Sequence, residues 1–263
     1  MLPRVLIALF AAPPDPQDDP HSTWLRCHKA LTEAALVACF MVFLALMSVL
    51  LEYPGSALHH LVPWPWARRA LMGLCAGASL ACVIYSPWGQ RTGAHINPAV
   101  TLAMALIRRI RLRTTLWYIG AQLLGAMGGM AVAELLLGPY LAHPQVDHIA
   151  TAPGSAGLSW AFVGELSFSF ALMTLILVLS SRPRWAPYTG LAVAITVAVF
   201  TAAAAPLSGM SMNPARTLGP AIFSREWHDT WIYIVAPPLG MLLAAGAYVR
   251  LRKLRRVRHL PGA

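Results

Sequence analysis

Apolar residues along this chain come in long runs and do not alternate. Stretches at 30–50, 67–87, 114–136, 158–180, 187–205 and 231–250 each approach the about 20 helical residues that cross a bilayer core. The second, "LMGLCAGASLACVIY", is rich in Gly, Ala and Cys. Small residues let helices approach closely, so it is expected inside a bundle. Two shorter apolar runs remain, 97–107 and 213–223. A helix of about 11 residues rises about 16 Å, half of a hydrocarbon layer of about 30 Å. One run lies between the second and third spans, the other between the fifth and sixth. Each half of the chain therefore holds three spans and a half-span.

Charge orients this pattern. With both termini in the cytoplasm, the inner segments hold Arg4, Arg26, Lys29, Arg91, Arg108, Arg109, Arg111, Arg113, Arg182, Arg184 and the tail "RLRKLRRVR". The outer segments hold Arg68, Arg69, Arg216 and Arg225. That bias follows the positive-inside rule. The half-spans then enter from opposite faces and meet near the midplane, as the two halves of an inverted repeat.

Composition agrees. Of 263 residues, 57% are hydrophobic and 11% charged, against roughly 25% charged in soluble domains. Mean hydropathy is +0.59. A net charge of +10 suggests nucleic acid in a soluble protein, but here it is topological, and aromatic–basic interleaving is absent. Cys27, Cys39, Cys75 and Cys82 lack metal-ligand spacing with His and read as buried thiols, with no metal or cofactor. Residues 1–27, opening "MLPRVLIALFAAPPDP", read as a disordered cytoplasmic tail, although the start resembles a short secretory signal. The membrane-embedded body is 28–252, with repeats at about 28–137 and 158–250 and a basic tail at 253–263.

Both half-spans open with Asn-Pro-Ala: Asn97, Pro98, Ala99 and Asn213, Pro214, Ala215. Asn is a strong N-cap, and Pro fits the first helical turn, where its missing N–H costs nothing. Two such starts meeting tip to tip bring two positive dipole ends, about half a charge each, to one place. Cations are repelled there. A neutral dipole can bind the Asn97 and Asn213 amides, and the small Ala99 and Ala215 let the loops touch. Glu33 and Glu165 occupy matching places in the first and fourth spans. A carboxylate at that depth is costly unless paired, so each is expected to accept hydrogen bonds from a re-entrant loop. Arg216, in the first turn of its half-helix, is expected to face a wet lumen.

These residues resemble the aquaporin, or major intrinsic protein, family over roughly 28–250. The likeness rests on "GAHINPAVTL", "SGMSMNPARTLGPAIF", the span glutamates and Gln122 in "YIGAQLLGA". The resemblance implies an all-α membrane fold of six tilted helices and two re-entrant half-helices. It implies a pore in every subunit and a homotetramer, with no enzyme activity and no cofactor. It also implies a selectivity constriction at Gly77, Thr201, Met210 and Arg216, with Ala76 replacing Gly77 if the register slips by one. Water-selective members carry Phe and His at the first two positions. Glycerol channels carry two aromatics and an Asp where this chain has Thr217. The gate is therefore expected to be wide, unless Trp88 or Met212 fills it. His95 is expected to line the lumen. His59, His60, His143 and His148 are expected in solvent, and the tryptophans near 64, 66, 227 and 231 in an interfacial belt.

The reading is a passive channel for water and small uncharged solutes in a bacterial inner (plasma) membrane. Metalloid acids, urea, ammonia, hydrogen peroxide and glycerol are the alternative cargoes. A coupled transporter is the alternative of another class, since broken helices and inverted repeats occur there too. The half-spans carry no acid beside their caps, and no catalytic grouping sits at bilayer depth.

Overall fold

A computed structural model describes residues 23–257, so the tails at 1–22 and 258–263 lie outside the described residues. The described chain is helical. Its elements are α1 (Thr23–Glu52), α2 (Ala57–Leu61), α3 (Pro65–Tyr85), α4 (Pro87–Thr92) and α5 (Pro98–Leu106). There follow α6 (Leu112–Leu141), α7 (Leu158–Ser180), α8 (Thr189–Ser208), α9 (Pro214–Ser224) and α10 (Thr230–Val257). Helices α1, α3, α6, α7, α8 and α10 are long and apolar enough to cross a membrane. Helices α5 and α9 are the two half-spans. Residues 23–27, read from sequence as tail, form the first turn of α1. Helix α6 also outruns its expected end. Gly138, at φ 40°, kinks it just before Pro139, which has no N–H to continue the ladder.

The packing repeats between the halves. In the first half α1 packs along α6, and in the second α7 packs along α10. The middle spans α3 and α8 pack on each other across the repeat. The half-helices are exchanged: α9 packs on α6 and α5 on α10.

Small residues set these distances. A Cβ built on Gly125 would lie 2.3 Å from the Ala34 carbonyl oxygen, and one on Gly129 would lie 2.6 Å from that of Ala38. This four-residue spacing of glycines lets α1 and α6 meet backbone to backbone. In the centre, Met41, Met130, Met173 and Met241 are fully buried, one from each of α1, α6, α7 and α10. Unbranched thioethers fill the irregular space between crossing helices. The exterior is apolar instead, with Leu135 at 85% and Leu124 at 67% exposed, as a lipid-facing surface requires. Cys39 and Cys82 lie on that exterior, which corrects the expectation of buried thiols: a small apolar side chain is equally at home facing hydrocarbon. Trp64, Trp66, Trp227 and Trp231 are exposed at or beside helix ends, as an interfacial belt requires.

Candidate functional site

The half-helices begin as their caps dictate. Asn97 Oδ1 accepts from the Ala99 N–H at 2.8 Å. Asn213 Oδ1 accepts from the N–H groups of Ala215 at 3.0 Å and Arg216 at 3.4 Å. With each oxygen held by its own helix, each Nδ2 must point away, and the two reach across. Asn97 Nδ2 donates to the Met212 carbonyl at 2.8 Å, and Asn213 Nδ2 donates to the Ile96 carbonyl at 3.0 Å. The tips of α5 and α9 are thereby tied to each other's loops, and Ala99 and Ala215 are fully buried between them. An amide nitrogen carries two hydrogens, so each Asn keeps one for the lumen.

The loops before the caps repeat a backbone pattern. Ala94 and Ile96 have φ of 45° and 41°, and Met210 and Met212 have φ of 52° and 51°. Left-handed residues at the third and first positions before each Asn are strained for side chains of this kind. Two buried carboxylates hold them. Glu33 accepts from the His95 N–H at 3.1 Å and the Ile96 N–H at 2.7 Å, and Gln122 Nε2 donates to it at 2.9 Å. Glu165 accepts from the Ser211 N–H at 2.9 Å, the Met212 N–H at 2.7 Å and the Ser208 hydroxyl at 2.8 Å. Both glutamates are fully buried and hold loops; neither lines the cavity. A hydroxyl four residues past each cap completes the motif. Thr101 bonds His95 Nδ1 at 3.2 Å, and Thr217 bonds the Ser211 hydroxyl at 2.5 Å.

These loops wall a continuous cavity of about 980 Å³ through the bundle. Residues 93–97 and 209–213 line it on facing sides, Asn97 and Asn213 among them, and so do His95, Thr201, Met210 and Arg216. Gly77 does not. It turns toward α8, where a Cβ would meet the Ala194 carbonyl oxygen at 2.4 Å, and its neighbour Ala76 lines the cavity. On α3 it is therefore Ala76, not Gly77, that faces the cavity, because one residue rotates a helix by about 100° and moves the lumen face to the next side chain. Met212 lines the cavity beside Met210, while Trp88 lies 60% exposed on the surface.

One contributor has no sequence signal. The segment between α6 and α7 dips back into the bundle. Asp147, His148 and Ile149 take three successive left-handed conformations, Val146 and Ile149 are buried, and both reach the cavity. This turn brings the Thr151 hydroxyl onto Arg216 Nη1, with Thr217 at 3.3 Å from the same hydroxyl. His148 is not free in solvent as expected but paired with Glu134 on α6. His143 stacks edge-on against Tyr53. Partial desolvation in this turn and the nearby Glu226 push the Asp147 carboxyl above its ordinary range, only partly offset by His148. Arg68, a sequence exception to the charge bias, is buried and bonded to Glu52 at 3.0 Å and to the carbonyls of Val62 and Pro63.

Two half-helices tied tip to tip, their amides locked as donors along a through-going cavity, agree with a match that covers most of the chain. The major intrinsic protein family profile matches residues 21–248. The chain belongs to this family. It is 35% identical to aquaporin-4 of Bos taurus over 247 residues, covering 86% of this chain and 74% of that one. It is 36% identical over 182 residues to aquaporin NIP6-1 of Arabidopsis thaliana, covering 68% of this chain and 58% of that one. Among solved structures, the aquaglyceroporin from Plasmodium falciparum superposes with a TM-score of 0.69 at 20% identity, over 86% of this chain and 97% of that one. That likeness supports the fold. The conduit of this major intrinsic protein is that of a passive integral-membrane channel for water or small solutes. Members of the family are channels and not enzymes.

Proposed function

We propose that this conduit passes water together with small uncharged solutes such as urea or glycerol, and rejects protons and other ions. The observation that carries this is the fixed polarity of the junction. Asn97 and Asn213 present N–H groups only, because their oxygens are committed to their own helices. A passing water or hydroxyl must offer its oxygen there. A metal cation has no lone pair to give and a hydronium oxygen is too poor an acceptor to use its own, and either meets two helix N-termini and the Arg216 guanidinium besides. The wide-gate reading rests on Ala76, Thr201 and Met210, small or flexible groups that line the same cavity as Arg216.

Coupled transport finds no support in these contacts. Glu33 and Glu165 have their oxygens filled by loop N–H donors, and a carboxylate so occupied is a poor proton shuttle. The charge bias argues for both termini in the cytoplasm, with the Arg109 mouth inside and the Arg216 mouth outside. The family likeness argues for a homotetramer. The reading is tested by stopped-flow light scattering on proteoliposomes, with impermeant sugar, urea and glycerol gradients. Water, urea and glycerol fluxes all above protein-free vesicles are expected. Water flux alone would remove the wide gate, and no flux of any kind would remove the channel.

A further inference from the structure

The cavity lining is lopsided in charge. Glu52 is the one acid among the described residues that line it, and Arg68 already holds that carboxylate. Among the described residues three arginines line it: Arg69, Arg109 and Arg216. Arg216 flanks the junction on one side. Arg109 stands on the other side, at the far mouth, where no acid lines the wall among the described residues.

The backbone fixes Arg109 there. Helix α5 ends at Leu106, Arg108 turns left-handed at φ 60°, and the Arg109 N–H closes back on the Met104 carbonyl at 2.9 Å. This places the residue just past the C-terminus of the half-helix. Nine residues of helix put that end about 13–14 Å along the axis from the Asn97 cap. The dipole that repels cations at the cap presents about half a negative charge at this end. Left bare, it would draw cations into the mouth. Arg109 stands directly past that end, its own N–H taking up the Met104 carbonyl. Its Nη1 donates to the Ser180 hydroxyl at the end of α7, at 3.0 Å. That partner is neutral, and no carboxylate pairs with Arg109 among the described residues. Arg109 thus lines the cavity as a cation with no carboxylate partner among the described residues.

We infer that Arg109 is a second charge filter of the conduit, a specificity-determining residue that rejects cations at the mouth opposite Arg216. The inference rests on the channel reading above. The competing role is structural, a strap from the end of α5 to the end of α7. Charge and strap separate by substitution. Arg109→Gln removes the charge and keeps an amide donor toward Ser180. Arg109→Lys keeps the charge with different geometry. Ser180→Ala keeps the charge and cuts the strap.

The experiment uses full-length protein in proteoliposomes. Proton leak is read by an internal pH dye under a potassium-valinomycin potential, and water flux is read in the same vesicles. Each substitution is made alone and in an Arg216→Val background, which lowers the first barrier. Arg216→Val with Arg109→Gln is expected to leak about tenfold faster than Arg216→Val alone. Arg109→Lys and Ser180→Ala are expected to add less than twofold. Arg109→Met serves as a second neutral variant if the Gln protein does not fold. A double variant leaking no faster than Arg216→Val, or Ser180→Ala leaking as fast as Arg109→Gln, overturns the inference. Loss of water flux in the unsubstituted protein is a separate result that fails the channel reading itself.

Discussion

Asn97 Nδ2 lies 2.8 Å from the carbonyl oxygen of Met212, a residue 115 positions later in the chain. This bond and its mate from Asn213 to Ile96 do two things at once. They join the halves of the repeat at the narrow centre, and they fix which atoms of each amide the lumen meets. On the proposed function, architecture and selectivity rest on the same four hydrogen-bonding groups.

Replacing Asn97 by Asp tests that coupling. Asp caps a helix as well as Asn, so α5 should still form. The new oxygen would face the Met212 carbonyl, acceptor against acceptor. A loss of about 1–3 kcal/mol is expected, read as a lower unfolding temperature in detergent. Cation leak should rise, since a donor at the junction has become an anion.

Glu165 satisfies two backbone N–H groups and a hydroxyl in a fully buried place. Glu165→Ala strands them all, and each stranded donor costs about 1–3 kcal/mol. The expected outcome is failure to recover folded protein after extraction. Ser208→Ala removes only the hydroxyl and should still yield protein that conducts water. Equal recovery of both variants would contradict the loop-holding role.

The close approach of α1 and α6 predicts a contrast within one helix. Gly125→Ala drives a methyl to within 2.3 Å of the Ala34 carbonyl, and overpacking of this kind costs about 1–3 kcal/mol. Gly128 has nothing within 4 Å of its built Cβ. Gly128→Ala should be neutral or stabilising by up to about 1 kcal/mol, as for Ala over Gly in a helix. Thermal unfolding of the two proteins side by side checks the sign.

Asp147 supplies a pH dependence. Its folded-state acidity is weakened by partial desolvation and by Glu226, so its pKa in the folded state exceeds that in the unfolded chain. Ionising it disfavours the fold above that pKa, and the penalty disappears below the unfolded value, where both states are protonated. Asp147→Asn should raise the unfolding temperature slightly at pH 7 and leave it unchanged near pH 3. Asn also tolerates the left-handed φ of 44° at this position.

Much of this was legible in the chain because it depends on local chemistry. Length and hydropathy give the six spans. Asn-Pro at 97–98 and 213–214 gives the helix starts, and the lone acids at 33 and 165 point to loops in need of acceptors. Two things were not legible. Counting residues along α3 reached Gly77 but could not fix helix rotation to one residue, and Ala76 holds the lumen. The turn at Asp147–Ile149 has no glycine to announce its left-handed backbone. It is imposed by tertiary contacts, with Val146 and Ile149 buried and His148 held by Glu134. Its consequence, Thr151 on Arg216, was invisible for the same reason.

The gate width is tested from the inside. Thr201→Phe places a ring in the wall of the cavity that Arg216 and Met210 also line. Urea and glycerol flux should fall at least tenfold, with water flux falling less. An equal fall in all three would mean that the side chain blocks the conduit without sieving it.

The central claim, a junction that donates hydrogen bonds only and so conducts neutral molecules alone, is tested most directly in one vesicle preparation. Osmotic water flux and proton flux are measured on the unsubstituted protein against protein-free vesicles. The account predicts water flux well above background with proton flux at background. Water and protons both moving, or neither, would contradict it.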